Sequence, residues 1–215
     1  MAPRCRDYLT EEITQADIVI REEEYRTDEW PLEYFDTVCY MDSCVQFYHK
    51  LPAFNGMVLH ASALEYDGKA YLFSGPSGVG KSTHARLWQQ LFGDAAQVFN
   101  DDKPALRFVD GQWYAYGTPW CGKDGINQNK KVPLQGICFL IQSKENNIRR
   151  LSKEEAIGYI MSQTVYSFSQ AWQTEQMLNV LDKLVRNVPV FIMENVPTED
   201  AARLSFQTMS AAEKE

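Results

Sequence analysis

Eight consecutive residues, Gly75-Pro76-Ser77-Gly78-Val79-Gly80-Lys81-Ser82, match the full phosphate-loop pattern G-x-x-x-x-G-K-[ST]. Each required residue type has a chemical reason. The glycines admit positive φ, so successive main-chain N–H groups can point into one concavity. Those amides, with the positive end of a following helix, form a nest for a β-phosphate. Lys81 adds a point charge that reaches the β- and γ-oxygens, the Ser82 hydroxyl is a ligand for Mg²⁺, and Pro76, Ser77, Val79 and Thr83 complete the cradle. A chance glycine-rich turn needs no strand before it and no helix after it. Here Ala70-Tyr71-Leu72-Phe73 runs straight into the loop and 83–92 reads as a helix, so the expectation is binding of a nucleoside triphosphate.

A phosphate loop also needs an acid near the metal. Asp101-Asp102 follow the short apolar strand Val98-Phe99, only about twenty residues beyond Lys81. That tight strand–loop–helix–strand unit is more typical of kinases acting on small acceptors or protein hydroxyls than of motors and GTPases. With two carboxylates side by side, one can orient or deprotonate a hydroxyl while the other holds Mg²⁺.

The segment Leu59-His60-Ala61-Ser62, the hairpin after it, the phosphate loop and Asn100-Asp101-Asp102 together resemble the catalytic domain of HPr kinase/phosphorylase, over residues 58–102. That fold is in turn similar to the nucleotide domain of ATP-dependent phosphoenolpyruvate carboxykinase. The resemblance implies an α/β fold: a mixed β-sheet phosphate-loop domain with helices packed on the sheet. It also implies ATP and Mg²⁺, with His60 beside the acids and the transferred phosphate, Asp101 as base for the acceptor hydroxyl, and Asp102 with Ser82 on the metal. The later Glu-Ile-Arg-Gly segment of that family is not found; Gly117-Thr118-Pro119-Trp120-Cys121-Gly122-Lys123-Asp124-Gly125 stands in its place. In this the chain resembles the compact HPr-kinase-like proteins found beside peptide-modification genes, which implies a peptide serine as acceptor.

The loop 117–129 is where acceptor binding is expected, with Trp120 to stack, Lys123 to neutralise charge, and Asn127 as a third candidate contact. No evident base accompanies Cys121, so a nucleophilic role is not assigned to it.

The elements that must position these groups are legible in outline. Tyr34, Val38, Met41, Val45 and Tyr48 recur at helical spacing, closing near Pro52. Ile18-Val19-Ile20 reads as a strand. Asp67-Gly68 between 58–66 and 69–74, and Asp110-Gly111 between 105–109 and 112–116, are hairpin signals. A continuous apolar strand spans 136–142, and Ser152-Lys153-Glu154-Glu155 is a capping box that opens a helix. A helix over 175–186 should turn Met177, Leu178, Leu181, Leu184 and Val185 inward; a strand over 189–193 and a helix over 201–209 follow. The division expected is a packed leader, 1–55, and a kinase-like domain, 56–215.

Composition narrows the classes. The chain has 215 residues, 45% of them hydrophobic, enough for a real core. A net charge of −8 argues against a general nucleic-acid binder. No apolar run approaches the roughly 18–20 residues of a membrane span, and no secretory signal is legible. Five cysteines without a C-x-x-C pair read as reduced thiols, so the expected setting is cytoplasmic. The expected partners are a nucleoside triphosphate and a hydroxyl acceptor on a peptide, protein or small molecule; homo-oligomerisation is left open. Two other functions suit the same loop. One is a non-catalytic regulatory module that binds nucleotide. The other is a carboxykinase-like enzyme, which wants a cluster of substrate arginines where only Arg86 and Arg107 lie near the motifs.

Overall fold

The computed structural model describes residues 2–12, 15–21, 23, 25, 31–165 and 171–212. In chain order its elements are α1 (Ala2–Cys5), α2 (Leu32–Lys50), β1 (Gly56–Val58), β2 (Ala61–Tyr66), β3 (Lys69–Ser74), α3 (Lys81–Phe92), β4 (Ala96–Asp102), β5 (Ala105–Val109) and β6 (Gln112–Tyr116). They continue with β7 (Lys131–Gln142), β8 (Asn147–Arg150), α4 (Lys153–Ser162), α5 (Ala171–Asn187), β9 (Val190–Asn195) and α6 (Glu199–Ala211).

β7 is the spine of a mixed sheet. Its first residues pair antiparallel with β6, and the rest runs parallel to β3 on one side and to β9 on the other. The strand order is β1-β5-β6-β7-β3-β2-β4, with β9 and then β8 branching from β7. Both faces are covered, which is why the central strands are apolar without interruption. Along β3, Ala70 and Leu72 join the layer under α4 and α5, while Tyr71 and Phe73 join the layer under α3 and α6. β7 alternates the same way, Ile137 and Phe139 against Cys138 and Leu140. The fold is therefore α/β, a curled mixed sheet between two helical layers, as expected.

Local chemistry sets the connections. The two Asp-Gly turns hold φ of 50° and 68° at Asp67-Gly68, and 50° and 82° at Asp110-Gly111. Positive φ at both central residues is what a two-residue hairpin needs. At Ser152 the capping box is complete: its hydroxyl accepts from the Glu155 amide, and the Glu155 carboxylate accepts from the Ser152 amide.

Several expectations need correction. Ile18-Val19-Ile20 forms no strand and Val19 is exposed; three apolar residues with no strand beside them have nothing to pair with. In α2 the buried side chains are Phe35, Cys39, Cys44 and Tyr48, whereas Tyr34, Met41 and Val45 face outward. Counting the cysteines as apolar would have brought Cys39 and Cys44 into the stripe, and Cys44 with Tyr48 packs on Val58 and Ala105. In α5, Val180 points inward and Leu178 is half exposed. The single strand expected over 58–66 is broken at Leu59-His60, where the chain leaves β5 and joins β3 and β4. All five cysteines are free thiols. Among the described residues no helix is long and apolar enough to cross a membrane.

α3 is pinned to α6 and β9 through a buried polar knot. His84 is fully buried between Asn195 Oδ1 at 3.2 Å and Ser205 Oγ at 2.9 Å, and the Trp88 indole N–H donates to that same hydroxyl. Burial pushes the His84 pKa down to about 4, the Asn195 hydrogen bond opposing. An unfolded chain therefore takes up a proton at His84 between its ordinary value near 6.5 and about 4, while the folded chain does not. Stability from this group is complete above pH 6.5 and declines as pH falls toward 4, by on the order of 3 kcal/mol across that window. Urea unfolding at stepped pH should show this decline, and His84→Gln should flatten it.

Candidate functional site

The strand register assembles the site. β2 pairs antiparallel with both β3 and β4, and Ala61 lies opposite Ser74 on one side and Asp102 on the other. His60 just before β2, the loop just after β3 and the acids that end β4 must therefore emerge at one end of the sheet. The Ser74 hydroxyl donates to the His60 carbonyl at 2.9 Å and ties the first two together.

Residues 75–80 form an open loop with φ of 140° at Gly75, 80° at Gly78 and 109° at Gly80. At Gly75 a Cβ would come within 3.0 Å of Val79 Cγ1 and 3.1 Å of the Leu140 carbonyl, so only glycine suits both the backbone and the space. α3 starts at Lys81 behind Gly80, and no side chain caps its first turn. Those amides are left for an anion. The buried Lys81 ammonium donates to the carbonyls of Gly75 at 3.0 Å and Pro76 at 3.2 Å. Burial lowers its pKa below the usual lysine range, with Asp102 and Asp101 pulling the other way.

The two acids occupy different surroundings. Asp101 is buried, and its Oδ1 accepts from the Ser82 hydroxyl at 3.1 Å. Asp102 faces away from Ser82: Oδ1 lies 3.0 Å from His60 Nε2 and Oδ2 lies 3.1 Å from Lys103 Nζ. Burial pushes the Asp102 carboxyl up, but hydrogen bonds from His60 and Lys103 and the Lys103 charge outweigh it, leaving a pKa of about 2. Its φ of 119° places a non-glycine residue in a strained region, worth ~1–3 kcal/mol, at the point where Asp102 bridges to Cys121 of the neighbouring loop. His60 is held from behind, with Nδ1 3.2 Å from Gln163 Oε1 and its amide donating to the Gln163 carbonyl.

The two acids are thus told apart by their partners, Ser82 for Asp101 and His60 with Lys103 for Asp102. The hydroxyl that would ligate Mg²⁺ is bonded to Asp101, and the carboxylate turned to His60 is Asp102. Among the described residues no three His, Cys, Asp or Glu side chains form a metal cluster by themselves. Mg²⁺ at nucleotide sites takes one or two protein oxygens and completes its shell from phosphates and water. Ser82 with Asp101 suits that demand.

The loop 117–129 is stitched to the edge of β4. Asp101 N–H donates to the Ile126 carbonyl at 3.1 Å, Gly122 N–H to the Asp101 carbonyl at 2.7 Å, and Gln128 N–H to the Phe99 carbonyl at 2.8 Å. Buried Asn100 donates to the Thr118 carbonyl, and Thr118 donates to that of Lys103. Of the three expected acceptor contacts, Lys123 alone reaches the cleft, an opening of about 500 Å³ that it lines with His60, Lys81, Asp101 and Asp102. Trp120 instead packs on Phe47, 4.8 Å between ring centres, and its indole N–H donates to the Tyr40 carbonyl and Ser43 hydroxyl of α2. Asn127 donates to Cys121 Sγ and the Gly125 carbonyl, which shapes the loop from within.

Sequence reading missed Lys103, Gln163, Asp124 and the positioning pair Asn100 and Thr118. Lys103 adjoins the acid pair and could have been found there. Gln163 comes from the end of α4 and carries no local signal. Arg86 closes the cleft mouth on Asp124 at 2.6 Å. If His60 holds the Asp102 carboxylate ionised, His60→Ala should raise the Asp102 pKa from about 2 toward the ordinary carboxylate range. Carbon-13 NMR titration reads this directly; an unmoved titration would refute the pairing.

No curated protein matches this chain. A solved structure from Coxiella burnetii, the Hpr(Ser) kinase/phosphatase, is similar at 14% identity, covering 72% of this chain and 99% of that one, with a TM-score of 0.40. A family profile covers most of the chain, residues 29–198. By that match, the chain belongs to the family of the SynChlorMet cassette protein ScmC.

Proposed function

We propose that this protein is an ATP- and Mg²⁺-dependent kinase that transfers the γ-phosphoryl group to a hydroxyl, a serine of a peptide or protein. The observation that carries the reading is the meeting of three features at one sheet end. They are an uncapped, glycine-shaped amide nest, a buried lysine beside it, and two carboxylates with different partners. A magnesium ion, when bound, would neutralise charge on the β- and γ-oxygens.

The chain's own groups then do the following. The loop amides and the Lys81 ammonium hold the polyphosphate, the ammonium exchanging its two carbonyl partners for phosphate oxygens. Ser82 and Asp101 supply the metal-side oxygens. Asp102 accepts a hydrogen bond from the acceptor hydroxyl and takes its proton as the new oxygen–phosphorus bond forms and the β–γ bridging bond breaks. A carboxylate this acidic is a weak base, which suits a loose transition state in which the proton leaves late. His60 and Lys103 keep that carboxylate ionised and aimed. Lys123, exposed at the cleft rim, supplies charge to the incoming group. The peptide acceptor is suggested by the likeness to HPr-kinase-like proteins, and the open cleft leaves room for a short side chain on a larger partner.

The test is incubation with labelled ATP and Mg²⁺ in a lysate, with mass spectrometry to identify what gains a phosphate. Lys81→Ala should reduce labelling about 100-fold or more while circular dichroism stays native. Asp102→Asn should keep ATP binding and lose transfer by about 100- to 10,000-fold. Asp101→Asn should instead remove the Mg²⁺ dependence of nucleotide binding. Full transfer by Asp102→Asn would sink the assignment of the base; no labelled product from the wild type would sink the kinase.

A further inference from the structure

The cleft that holds the acids lies on the β2–β4 side of the phosphate loop. On the opposite flank the same loop borders a second hollow of about 410 Å³, lined by Pro76, Ser77, Gly78 and Val79 with Leu140, Ile141 and Gln142 of β7. Ser77 and Gly78 line both. A polyphosphate seated on the loop therefore has one exit toward Asp101 and Asp102 and another toward the carboxyl end of β7.

That end of β7 is anomalous for its strand. Seven consecutive buried residues are followed by Ile141, 41% exposed, a large β-branched side chain left on the surface beside the loop. Next to it the Gln142 carboxamide is aligned by its own hydrogen bond: Nε2 donates to the Gly78 carbonyl at 3.2 Å. Its Oε1 has no partner among the described residues. The arrangement is an apolar shelf with one free acceptor at its rim, alongside a strand parallel to the one that feeds the phosphate loop. In open α/β sheets, ligands lie at the carboxyl ends of such strands.

We infer that this shelf is the base subsite of the nucleotide, with the base lying on Ile141 and its exocyclic amine donating to Gln142 Oε1. The inference rests on the triphosphate reading above and adds to it the direction in which the nucleotide lies. The γ-phosphate points to the β4 acids and the nucleoside to β7. It also specifies the base. With Nε2 held by Gly78, the carboxamide offers an acceptor. Adenine presents the donor N6 amine at that edge, whereas guanine presents the acceptors O6 and N7. A purine also covers more of the shelf than a pyrimidine, so ATP is selected over GTP and CTP.

The experiment compares Kd for ATP, GTP and inorganic tripolyphosphate, each with Mg²⁺, by calorimetry on wild-type protein, Ile141→Ser and Gln142→Leu. Ile141→Ser is expected to weaken ATP about tenfold and leave tripolyphosphate within twofold of wild type. Gln142→Leu is expected to bring the ATP and GTP affinities together. Unchanged ATP affinity in Ile141→Ser overturns the base subsite, as does an equal loss of ATP and tripolyphosphate. A wild type that binds tripolyphosphate but shows no preference for ATP over GTP overturns the role of Gln142. Failure of the wild type to bind tripolyphosphate at all overturns instead the phosphate cradle on which the inference stands.

Discussion

The antiparallel pairing of β2 with both of its neighbours is the constraint on which the rest depends. A phosphate loop after one strand and acids after another become a site only if those strand ends coincide. Here β2 sets both by facing Ser74 and Asp102 with the same residue. The register is well protected. The Asp67-Gly68 turn fixes the β2–β3 hairpin, and Ala61, Ala63 and Leu64 are wholly buried. A slip by one residue would turn every side chain of β2 to the wrong helical layer. Between Ala63 and Leu64 the pairing with β4 shifts, an irregularity that falls on the approach to the acids.

Charge at this sheet end is arranged in ready-made pairs. Asp102 is bound to His60 and Lys103, Arg86 to Asp124, and Lys81 to loop carbonyls. Each cation thus has a partner that an incoming polyanion must displace or share. Among these groups Lys81 is the most consequential, because burial already lowers the preference of its ammonium for the charged form. An anion in the cradle would restore that charge, so phosphate binding and lysine protonation reinforce each other.

Much of this was legible in the sequence, for reasons that differ by residue. The glycine loop between β3 and α3 was, because glycine spacing there answers to backbone geometry alone. Both hairpins and the capping box were, because Asp-Gly and Ser-x-x-Glu act within a few residues of themselves. The α2 face was not: Cys39 and Cys44 pack as apolar side chains, and a count that looks only at larger hydrophobes selects the exposed stripe. The different partners of Asp101 and Asp102 were equally hidden. Two identical neighbours on a strand point to opposite faces, and which one meets Ser82 depends on how β4 docks. The packing of Trp120 on α2 was hidden as well, because the helix that receives its indole N–H lies about eighty residues away.

The stitching of the loop 117–129 along β4 gives that strand a dual life. Its outer edge would otherwise offer unpaired amides to any passing strand, and the loop occupies them. Gly117 shows how tightly the loop closes on itself and on β4, since a Cβ there would stand 1.9 Å from the Gln128 carbonyl oxygen and 3.3 Å from that of Phe99. Loop and acid strand are thereby joined like courses of masonry. A different loop grafted here would shift the keystone carboxylates with it. The exposed tip, Lys123-Asp124-Gly125, stands clear of that mortar and is moored instead to α3 through the Asp124–Arg86 ion pair.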